Sequence, residues 1–379
     1  MQRNAIYVLL LMVAGLVALG LVMLFSTSAF AQDSHGDIYY FVKRQALWLG
    51  IGLMIGIVIA MIDYHFWMKY WWVVFALAVV LLVCCFVPHI GMRINGSHRW
   101  IKLGLVFQPS ELAKIASILF LSWWYSRTDI SFHTFKDGLL IPMGVLCVLM
   151  GLIVIEVDMG NTALIGGTAL AMMIAAGAAL RWLMLMLLTG LGGIAFLAFH
   201  ISERHGRMLA FLNPEQYKLG EGLQQWQALI AFGSGGFDGV GLGEGRQKML
   251  YLPYAHTDFI FPMVGEELGL RFTLLTVGAY LVICLCGALV AVNAKDRSGM
   301  LMAFGAVIMI TLQAAVNIGV TTSLLPNKGM PLPFISYGGS NLFICMSLIG
   351  LLVNIHRQGK PIVPRFAVTL LNPHIEPRV

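Results

Sequence analysis

Four ionisable residues lie close together in the stretch YLPYAHTDFIFPMVGEELG, residues 251–269. His256 and Asp258 precede an apolar run, and Glu266 and Glu267 lie within it. A carboxylate can accept a proton from an attacking hydroxyl, and an ionisable side chain inside a membrane usually faces a polar cavity. The spacing favours a polar cavity with Asp258 at its mouth and the two glutamates at its floor. His256 is interpreted as a structural hydrogen-bonding neighbour rather than a proton relay.

A structural interpretation of Asp258 is also open. Pro262 suits the first turn of a helix that starts near residues 259–261, and this start would make Thr257 or Asp258 an ordinary helix cap. The two glutamates one to two turns deeper weaken that interpretation, because a capping aspartate needs no cavity.

Two further segments carry charge at the ends of apolar runs. In QPSELAK, Glu111 and Lys114 are spaced i, i+3, so they either pair on one helix face or leave the lysine to meet an anionic phosphate. In IEVDMGNTAL, Glu156 and Asp158 precede Gly160. Turn chemistry at Asp158 is the structural alternative to a role in binding.

The long segment 200–261 supplies further cations, namely Arg204, Arg207 and Lys248. Its glycine-rich part, GSGGFDGVGLGEG, fits GxGxxG only loosely and has no strand–helix unit around it, so a nucleotide-binding fold is rejected. Apolar residues in GEGLQQWQALIAF are spaced as in an amphipathic helix that lies on the outer membrane surface. The glycines would form tight turns that pack this helix over the cavity mouth.

The elements that position these residues are membrane helices. The chain has 379 residues, of which 59% are hydrophobic and 11% charged, and its mean hydropathy is +0.83. These values predict an all-α polytopic membrane protein. Ten stretches have spanning length: 5–31, 39–62, 70–90, 109–126, 138–156, 161–180, 182–200, 262–292, 299–320 and 340–356.

The distribution of basic residues predicts the orientation. With both termini in the cytoplasm, eleven lysines and arginines fall on the inner side and six in short outer loops. The polar, glycine- and proline-rich segments then gather at the outer face, which is where the protein is expected to work. A membrane domain is predicted over 1–356, with a large outer loop at 200–261, followed by a short cytoplasmic tail over 357–379.

Composition also excludes several classes. A net charge of +6 is assigned to orientation and lipid headgroups rather than to nucleic acid. All six cysteines lie in apolar runs without CxxC spacing, so neither disulfides nor a cysteine metal site is predicted. Residues 29–31 match a signal cleavage pattern, but the preceding apolar run is too long for a signal core and is predicted to be a retained first span.

Several segments together resemble the SEDS family (shape, elongation, division, sporulation), and most closely its FtsW-like division branch, with RodA-like relatives. The segments that carry the resemblance are FVKRQALWLG, INGSHRWIKLG, QPSELAK, GSGGFDGVGLGEGRQKMLYLPYAHTDFIF, GEELG and GVTTSLLPNKGMPLPFISYGGSN. They follow one another in order over most of the chain.

The resemblance implies a ten-helix glycosyltransferase of the bacterial cytoplasmic membrane. It implies polymerisation of lipid II, which is both donor and acceptor, into peptidoglycan strands at the outer face, for septal wall synthesis in cell division. A class B penicillin-binding transpeptidase and other membrane proteins of the division complex are the implied partners. Alternatives from other classes are a lipid II flippase and a non-catalytic division scaffold.

The essential acid of the family's His-Thr-Asp motif corresponds to Asp258. A divalent cation, Mg²⁺ or Mn²⁺, is left open, with Asp258, Glu111 and Asp158 as candidate ligands, and no organic cofactor is expected. The candidate substrate-binding residues are Glu111, Lys114, Asp158, Arg204, Arg207, Lys248, His256, Glu266, Glu267 and Lys328.

The chain departs from the family at two places. Tyr254 stands where the family usually has Glu after Leu-Pro, so no role of that Glu is carried over. Residues 156–158 read Glu-Val-Asp where the family tends to have Gln-Pro-Asp.

Overall fold

Helices account for nearly all regular structure in the computed structural model, which describes residues 2–28, 37, 39–94, 97–103, 105–200, 202–213, 215–249 and 251–359. The helices are α1 Gln2–Ser28, α2 Tyr40–Met61, α3 Tyr64–Lys69, α4 Trp71–Cys84, α5 Pro109–Tyr125, α6 Ile141–Ile155, α7 Met159–Ala175, α8 Leu180–His200, α9 Ser202–Leu212, α10 Leu223–Gly235, α11 Ile260–Val292, α12 Arg297–Thr321 and α13 Gly339–Gln358. A π-helical turn, Lys136–Leu140, precedes α6.

Each of the ten predicted spans corresponds to one of these helices. Among the described residues, six helical segments are long and apolar enough to cross a membrane, and α4, α7 and the first half of α8 are shorter apolar helices. The additional helices α3, α9 and α10 are too short or too polar to have been counted as spans. The prediction of an all-α polytopic membrane protein is confirmed.

A small sheet between α4 and α5 was not predicted. Its strands are β1 Gly91–Ile94, β2 Ser97–Leu103 and β3 Leu105–Phe107, paired antiparallel in the order β1-β2-β3. Hydropathy over a window of spanning length averages across such short strands, so this pattern escapes a search for membrane helices. The sheet matters because β2 carries a cation to the site described below.

The interior is built around α12 and α13, which bury 61% and 78% of their spanning windows, whereas α2 buries 17%. An apolar helix that buries little of its surface in protein is suited to face lipid. Contact between α2 and α13 is close, because a Cβ on Gly350 would lie 2.2 Å from the carbonyl oxygen of Gly56. Small residues at such positions let membrane helices approach each other.

The two ends of the chain are described only in part. Helix α1 packs against α11. The cleavage-like residues 29–31 and the tail beyond residue 359 lie outside the described residues, so neither prediction about them is tested.

Candidate active site

Asp258 lies in a tight turn immediately before α11. The backbone N–H groups of Thr257 and Phe259 both donate to the carbonyl of Tyr254, which has a φ of +58°. The helix cap is Phe259, and no side chain makes a cap hydrogen bond there. The interpretation of Asp258 as an ordinary cap is therefore wrong, and its carboxylate is not required to satisfy the helix end.

The loop that joins α12 to α13 forms one wall around Asp258. The Asn317 amide on α12 donates to the carbonyl oxygens of Asp258 (2.8 Å) and Met330 (2.7 Å), which ties the turn to this loop. A Cβ on Gly329 would lie 2.6 Å from Asp258 Oδ2. A larger residue at this position would therefore force the Asp258 carboxylate to move.

The pKa of Asp258 is raised to about 6 from its ordinary 3.8. Burial of the carboxyl group is the main cause, the positive charge of Arg99 opposes it, and the negative charge of Asp158 adds to it. A carboxylate with a pKa close to neutrality is well matched to accept a proton under physiological conditions.

Arg99 is a site residue that the sequence analysis did not single out. It extends from β2, and its guanidinium donates to the carbonyl oxygens of Glu156 (3.3 Å) and Val157 (2.6 Å). Among the described residues its contacts include no ion pair. Its place in INGSHRWIKLG was the available signal, but only the sheet shows that the side chain reaches the α6–α7 turn.

Asp158 combines turn chemistry with contacts to other elements. The end of α6 is a Schellman motif, in which the N–H groups of Val157 and Asp158 donate to the carbonyls of Val154 and Ile153. Asp158 then caps α7 by accepting from the Asn161 N–H (3.2 Å), as the turn interpretation predicted.

The second carboxylate oxygen of Asp158 connects two elements of the site. Oδ2 accepts from the Gln108 side chain (2.9 Å) and the Asn161 side chain (2.9 Å). Gln108 is the residue before α5, so Asp158 connects the beginning of α5 to the beginning of α7 beside Asp258.

Glu111 and Lys114 form the predicted pair, and it is fully enclosed. Their side chains are each 1% exposed, and Lys114 Nζ lies 2.7 Å from Glu111 Oε1. Lys114 also donates to Gln313 on α12 (2.9 Å), and Asn341 on α13 donates to Glu111 (3.1 Å). This network joins α5, α12 and α13, and it favours the structural alternative for Lys114.

The predicted cavity floor is a buried anchor for the glycine-rich loop. Glu267 accepts from the side chains of Lys248 (2.6 Å) and Ser26 (2.7 Å) and from the N–H of Gly243 (2.9 Å). Glu266 accepts from the N–H groups of residues 246 and 247. The two glutamates therefore fix the loop to α11 and α1, and Lys248 is engaged in the same buried ion pair.

The glycines of this loop form tight turns, as predicted. Gly236, Gly239, Gly241 and Gly243 all have positive φ. Helix α10 also forms where an amphipathic helix was predicted, but its buried positions are Gln225, Ala228, Ala231 and Gly235 rather than the larger apolar residues. Apart from Gln225 these side chains are small, which allows the helix to lie directly on α11.

The other predicted binding residues are placed as follows. His256 stacks on Phe41 with ring centroids 4.3 Å apart, which favours the structural interpretation. Arg207 makes an exposed ion pair with Glu221 (3.4 Å). Lys328 is half-buried beside Gly329, at the loop that touches Asp258. The side chain of Arg204, on α9, lies outside the described residues.

The three candidate metal ligands do not form a preformed metal site. Among the described residues no group of three or more His, Cys, Asp and Glu side chains could hold a metal ion. Glu111 is committed to Lys114 and Asn341, and Asp158 to three polar side chains from the ends of α5 and α7, including Ser110. The donor set around Asp258 therefore does not fit a protein-held divalent cation.

Within the part of the chain that the structure describes, the fold and the site define a class: a polytopic membrane protein with a partly buried acid next to a membrane helix and an arginine whose charge acts on it. A family model described as cell cycle protein, covering FtsW, RodA and SpoVE, matches residues 7–361. The chain belongs to this family.

Curated relatives match over almost their whole length. One is the probable peptidoglycan glycosyltransferase FtsW of Geobacter metallireducens, 40% identical over 355 residues, which cover 93% of this chain and 95% of that protein. Another is stage V sporulation protein E of Bacillus subtilis, 37% identical, covering 91% of this chain and 95% of that protein.

Solved structures share the fold. A chain from a structure described as structural coordination of polymerization and crosslinking by a peptidoglycan synthase complex is 26% identical, with a TM-score of 0.74, and covers 92% of this chain and 96% of that chain. The rod shape determining protein RodA of Thermus thermophilus is 25% identical, with a TM-score of 0.69, and covers 93% of this chain and 97% of that chain.

Proposed function

We propose that the protein is a peptidoglycan glycosyltransferase that polymerises lipid II into glycan strands for septal wall synthesis. The observation that carries this proposal is the carboxyl group of Asp258, whose pKa burial raises to about 6. Among the described contacts this carboxyl neither caps a helix nor forms an ion pair. Membership of the family and relatives named as probable peptidoglycan glycosyltransferases support the same activity.

Asp258 acts as the general base in the proposed reaction. It accepts the proton of the acceptor 4-hydroxyl while that oxygen bonds to the anomeric carbon of the donor sugar. The bond between the anomeric carbon and the lipid pyrophosphate breaks, and the pyrophosphate departs as an anion that needs no general acid. Attack opposite the leaving group converts an α-linked donor into a β-linked strand.

Cations must stabilise the negative charge that develops on the leaving pyrophosphate. Arg99 is the best-placed candidate in the described structure, because it acts on Asp258 electrostatically and donates only to backbone carbonyls. Lys328 beside Gly329 is a second candidate. Lys114 and Lys248 are held in buried ion pairs and are therefore assigned to positioning rather than to contact with phosphate.

A divalent cation belongs to the proposed substrate complex rather than to the protein alone. Mg²⁺ is commonly held by one or two carboxylates together with phosphate oxygens of a substrate. Asp258 would be the carboxylate in such a complex, and the pyrophosphate would supply the other ligands, because Asp158 already accepts hydrogen bonds from three side chains.

The proposed setting is the outer face of the bacterial cytoplasmic membrane, at the division septum. Both termini would lie in the cytoplasm, consistent with the distribution of lysine and arginine. The proposed partner is a class B penicillin-binding transpeptidase, supported by the likeness to a chain from a peptidoglycan synthase complex. Other division-complex membrane proteins complete the proposed assembly.

Purified protein incubated with lipid II in detergent tests the activity. Wild type should make glycan polymer, and Asp258→Asn should fold normally but make none, because an amide cannot accept the proton and Asp258 makes no cap bond. Asp258→Glu should lose roughly 10²-fold, because the carboxylate moves by about one methylene. Asp238→Asn, at an exposed ion pair with Arg271, is the matched control.

The same assay separates the alternatives. Polymer formed without a membrane or gradient excludes a protein that only flips lipid II or only recruits division proteins. Near-normal polymer from folded Asp258→Asn would remove this residue from the catalytic role.

A further inference from the structure

Asn317 is a buried amide that contacts two separate segments of the site. It lies on α12 and is 1% exposed, and its Nδ2 group donates to the carbonyl oxygens of Asp258 (2.8 Å) and Met330 (2.7 Å). These two bonds use both hydrogens of the amide. They also determine its orientation, because a rotated amide would place its oxygen against two carbonyl oxygens.

The two carbonyls that Asn317 holds belong to the two sides of one close contact. Met330 follows Gly329, and a Cβ on Gly329 would lie 2.6 Å from Asp258 Oδ2. One amide therefore fixes both the backbone of the acid and the backbone that faces its carboxylate. Because the amide is carried by the well-buried helix α12, it is a rigid reference point for both.

The oxygen of the Asn317 side chain is not used in the same way. Oδ1 is buried and has no hydrogen-bond partner among the described residues. A buried acceptor without a partner costs stability, so it needs an explanation other than a contribution to the fold.

Asn354 on α13 is a buried amide with a structural role, and it differs in this respect. It is 2% exposed, and its Nδ2 group donates to the carbonyl oxygens of Ile59 (2.9 Å) and Ala60 (3.0 Å) near the end of α2. Its Oδ1 accepts from the N–H of Tyr64 (3.1 Å) and from the side chain of Gln358 (2.8 Å). Both ends of this amide are satisfied, and none of these partners belongs to the candidate active site.

The turn around Asp258 has a second attachment that does not involve Asn317. The N–H of Tyr337 donates to the carbonyl of His256 (3.0 Å), and the His256 ring stacks on Phe41. Loss of the Asn317 amide should therefore leave the turn attached at His256 and release it at Asp258. The carboxylate would shift while the fold persists.

We propose that Asn317 is a positioning residue that holds the Asp258 carboxylate in place against the loop at Gly329. Its effect on the reaction passes through Asp258, so it acts on the rate of the chemical step and not on the binding of substrate. A displacement on the order of 1 Å near a reacting group can cost roughly 10²-fold in rate. This inference rests on the proposed glycosyltransferase activity for its kinetic test, but the contact can be measured without it.

Polymerisation of lipid II by purified Asn317→Ala provides the kinetic test. For each folded molecule, kcat should fall roughly 10²-fold, and KM for lipid II should stay close to that of wild type. Asn354→Ala is the matched control, because it removes a similarly buried amide that also donates to backbone carbonyls. It should lower thermal stability and leave kcat for each folded molecule unchanged. An unchanged kcat in Asn317→Ala, or an equal fall in both variants, would overturn the proposal.

Asn317→Leu tests whether the lost donor, rather than a cavity, is responsible. Leu has a branched shape like that of Asn and fills the site, but it has no N–H group to hold the two carbonyls. Its kcat should fall as far as that of Asn317→Ala. A wild-type kcat in Asn317→Leu would show that these hydrogen bonds do not position the acid.

Hydrogen exchange followed by mass spectrometry tests the contact in the wild-type protein without an activity assay. The N–H groups of Thr257 and Phe259 donate to the carbonyl of Tyr254 in the turn that Asn317 holds. The N–H of Gly220 makes a similar local bond in an exposed part of the outer loop. Thr257 and Phe259 should exchange more slowly than Gly220. Equally fast exchange would overturn the proposal even if no Asn317 variant folds.

Exchange in the variants separates this inference from the proposed function. Asn317→Leu should exchange faster than wild type at residues 257–259, and Asn354→Ala should not. Faster exchange in Asn317→Leu, with no polymer from wild type, would support the contact and count against the glycosyltransferase activity. Unchanged exchange in Asn317→Leu, with normal polymer from wild type, would overturn this inference and leave the proposed function standing.

Discussion

Asp258 should give activity and stability opposite responses to pH. A general base works when ionised, so polymerisation should rise as pH increases through about 6, the raised pKa of this carboxyl. The same raised pKa means that the folded protein binds the proton more tightly than the unfolded chain. The stability that Asp258 contributes is therefore fully present below pH 3.8 and is lost as pH rises through about 6.

Polymerisation and thermal unfolding measured across this pH range check both parts. Asp258→Asn should remove the Asp258 contribution to the slope of stability against pH. If polymerisation instead falls at low pH with a midpoint near the ordinary pKa of aspartate, the Asp258 carboxyl is not desolvated before substrate binds.

The pair Glu111–Lys114 should act as structure that connects three helices. Lys114→Met leaves the Glu111 carboxylate buried without its cation, and breaking a buried pair in this way typically costs about 3–5 kcal/mol. We expect a clear loss of thermal stability in detergent, with specific activity retained by the fraction that remains folded.

The double variant Lys114→Met/Glu111→Gln is the control, because it removes both charges and should recover much of the stability. A Lys114→Met protein as stable as wild type but unable to polymerise would reverse the assignment and place this lysine on the pyrophosphate.

A break in α11 at Gly269 lets the glycine-rich loop dock on the helix. Gly269 has φ +76° and ψ −174°, a conformation that is essentially restricted to glycine. The loop fills the gap, since the N–H groups of Val240 and Gly241 donate to the carbonyls of Glu266 and Glu267. A Cβ on Gly269 would lie 2.4 Å from the backbone nitrogen of Gly239.

Gly269→Ala should therefore destabilise the protein by about 1–3 kcal/mol or more and increase proteolysis of the loop. Gly278→Ala on the same helix is the matched control, because a Cβ there meets nothing within 4 Å. Equal melting temperatures and equal protease resistance for the two variants would mean that the break does not hold the loop.

The whole molecule is expected to work beside a transpeptidase. The proposal of such a partner is supported by the likeness to a chain from a peptidoglycan synthase complex. A single-span class B penicillin-binding transpeptidase should co-purify with the tagged protein, and an unrelated single-span protein should not. Full activity of the isolated chain at every concentration, with no such protein recovered, would contradict this expectation.

The ten spans followed from the sequence because a bilayer requires about 20 consecutive apolar residues per helix, a local property of the chain. Three further features could be predicted because each depends only on residues close together in the sequence. They are the position of Asp258 at the end of a span, the Glu111–Lys114 spacing and the glycine turns. The sheet that carries Arg99 was missed because its strands are too short to register at that window length.

Only the tertiary structure shows which charged side chains contact one another. Ser26 and Glu267 are 241 residues apart in sequence, yet they share one hydrogen-bonded cluster with Lys248. Whether an acid is a helix cap, a buried anchor or a base depends on its burial and its partners, and both arise from packing between distant segments. For this reason the sequence determined where Asp258 lies along the chain, and only the packed structure determined that its carboxyl is buried and that the charges of Arg99 and Asp158 act on it.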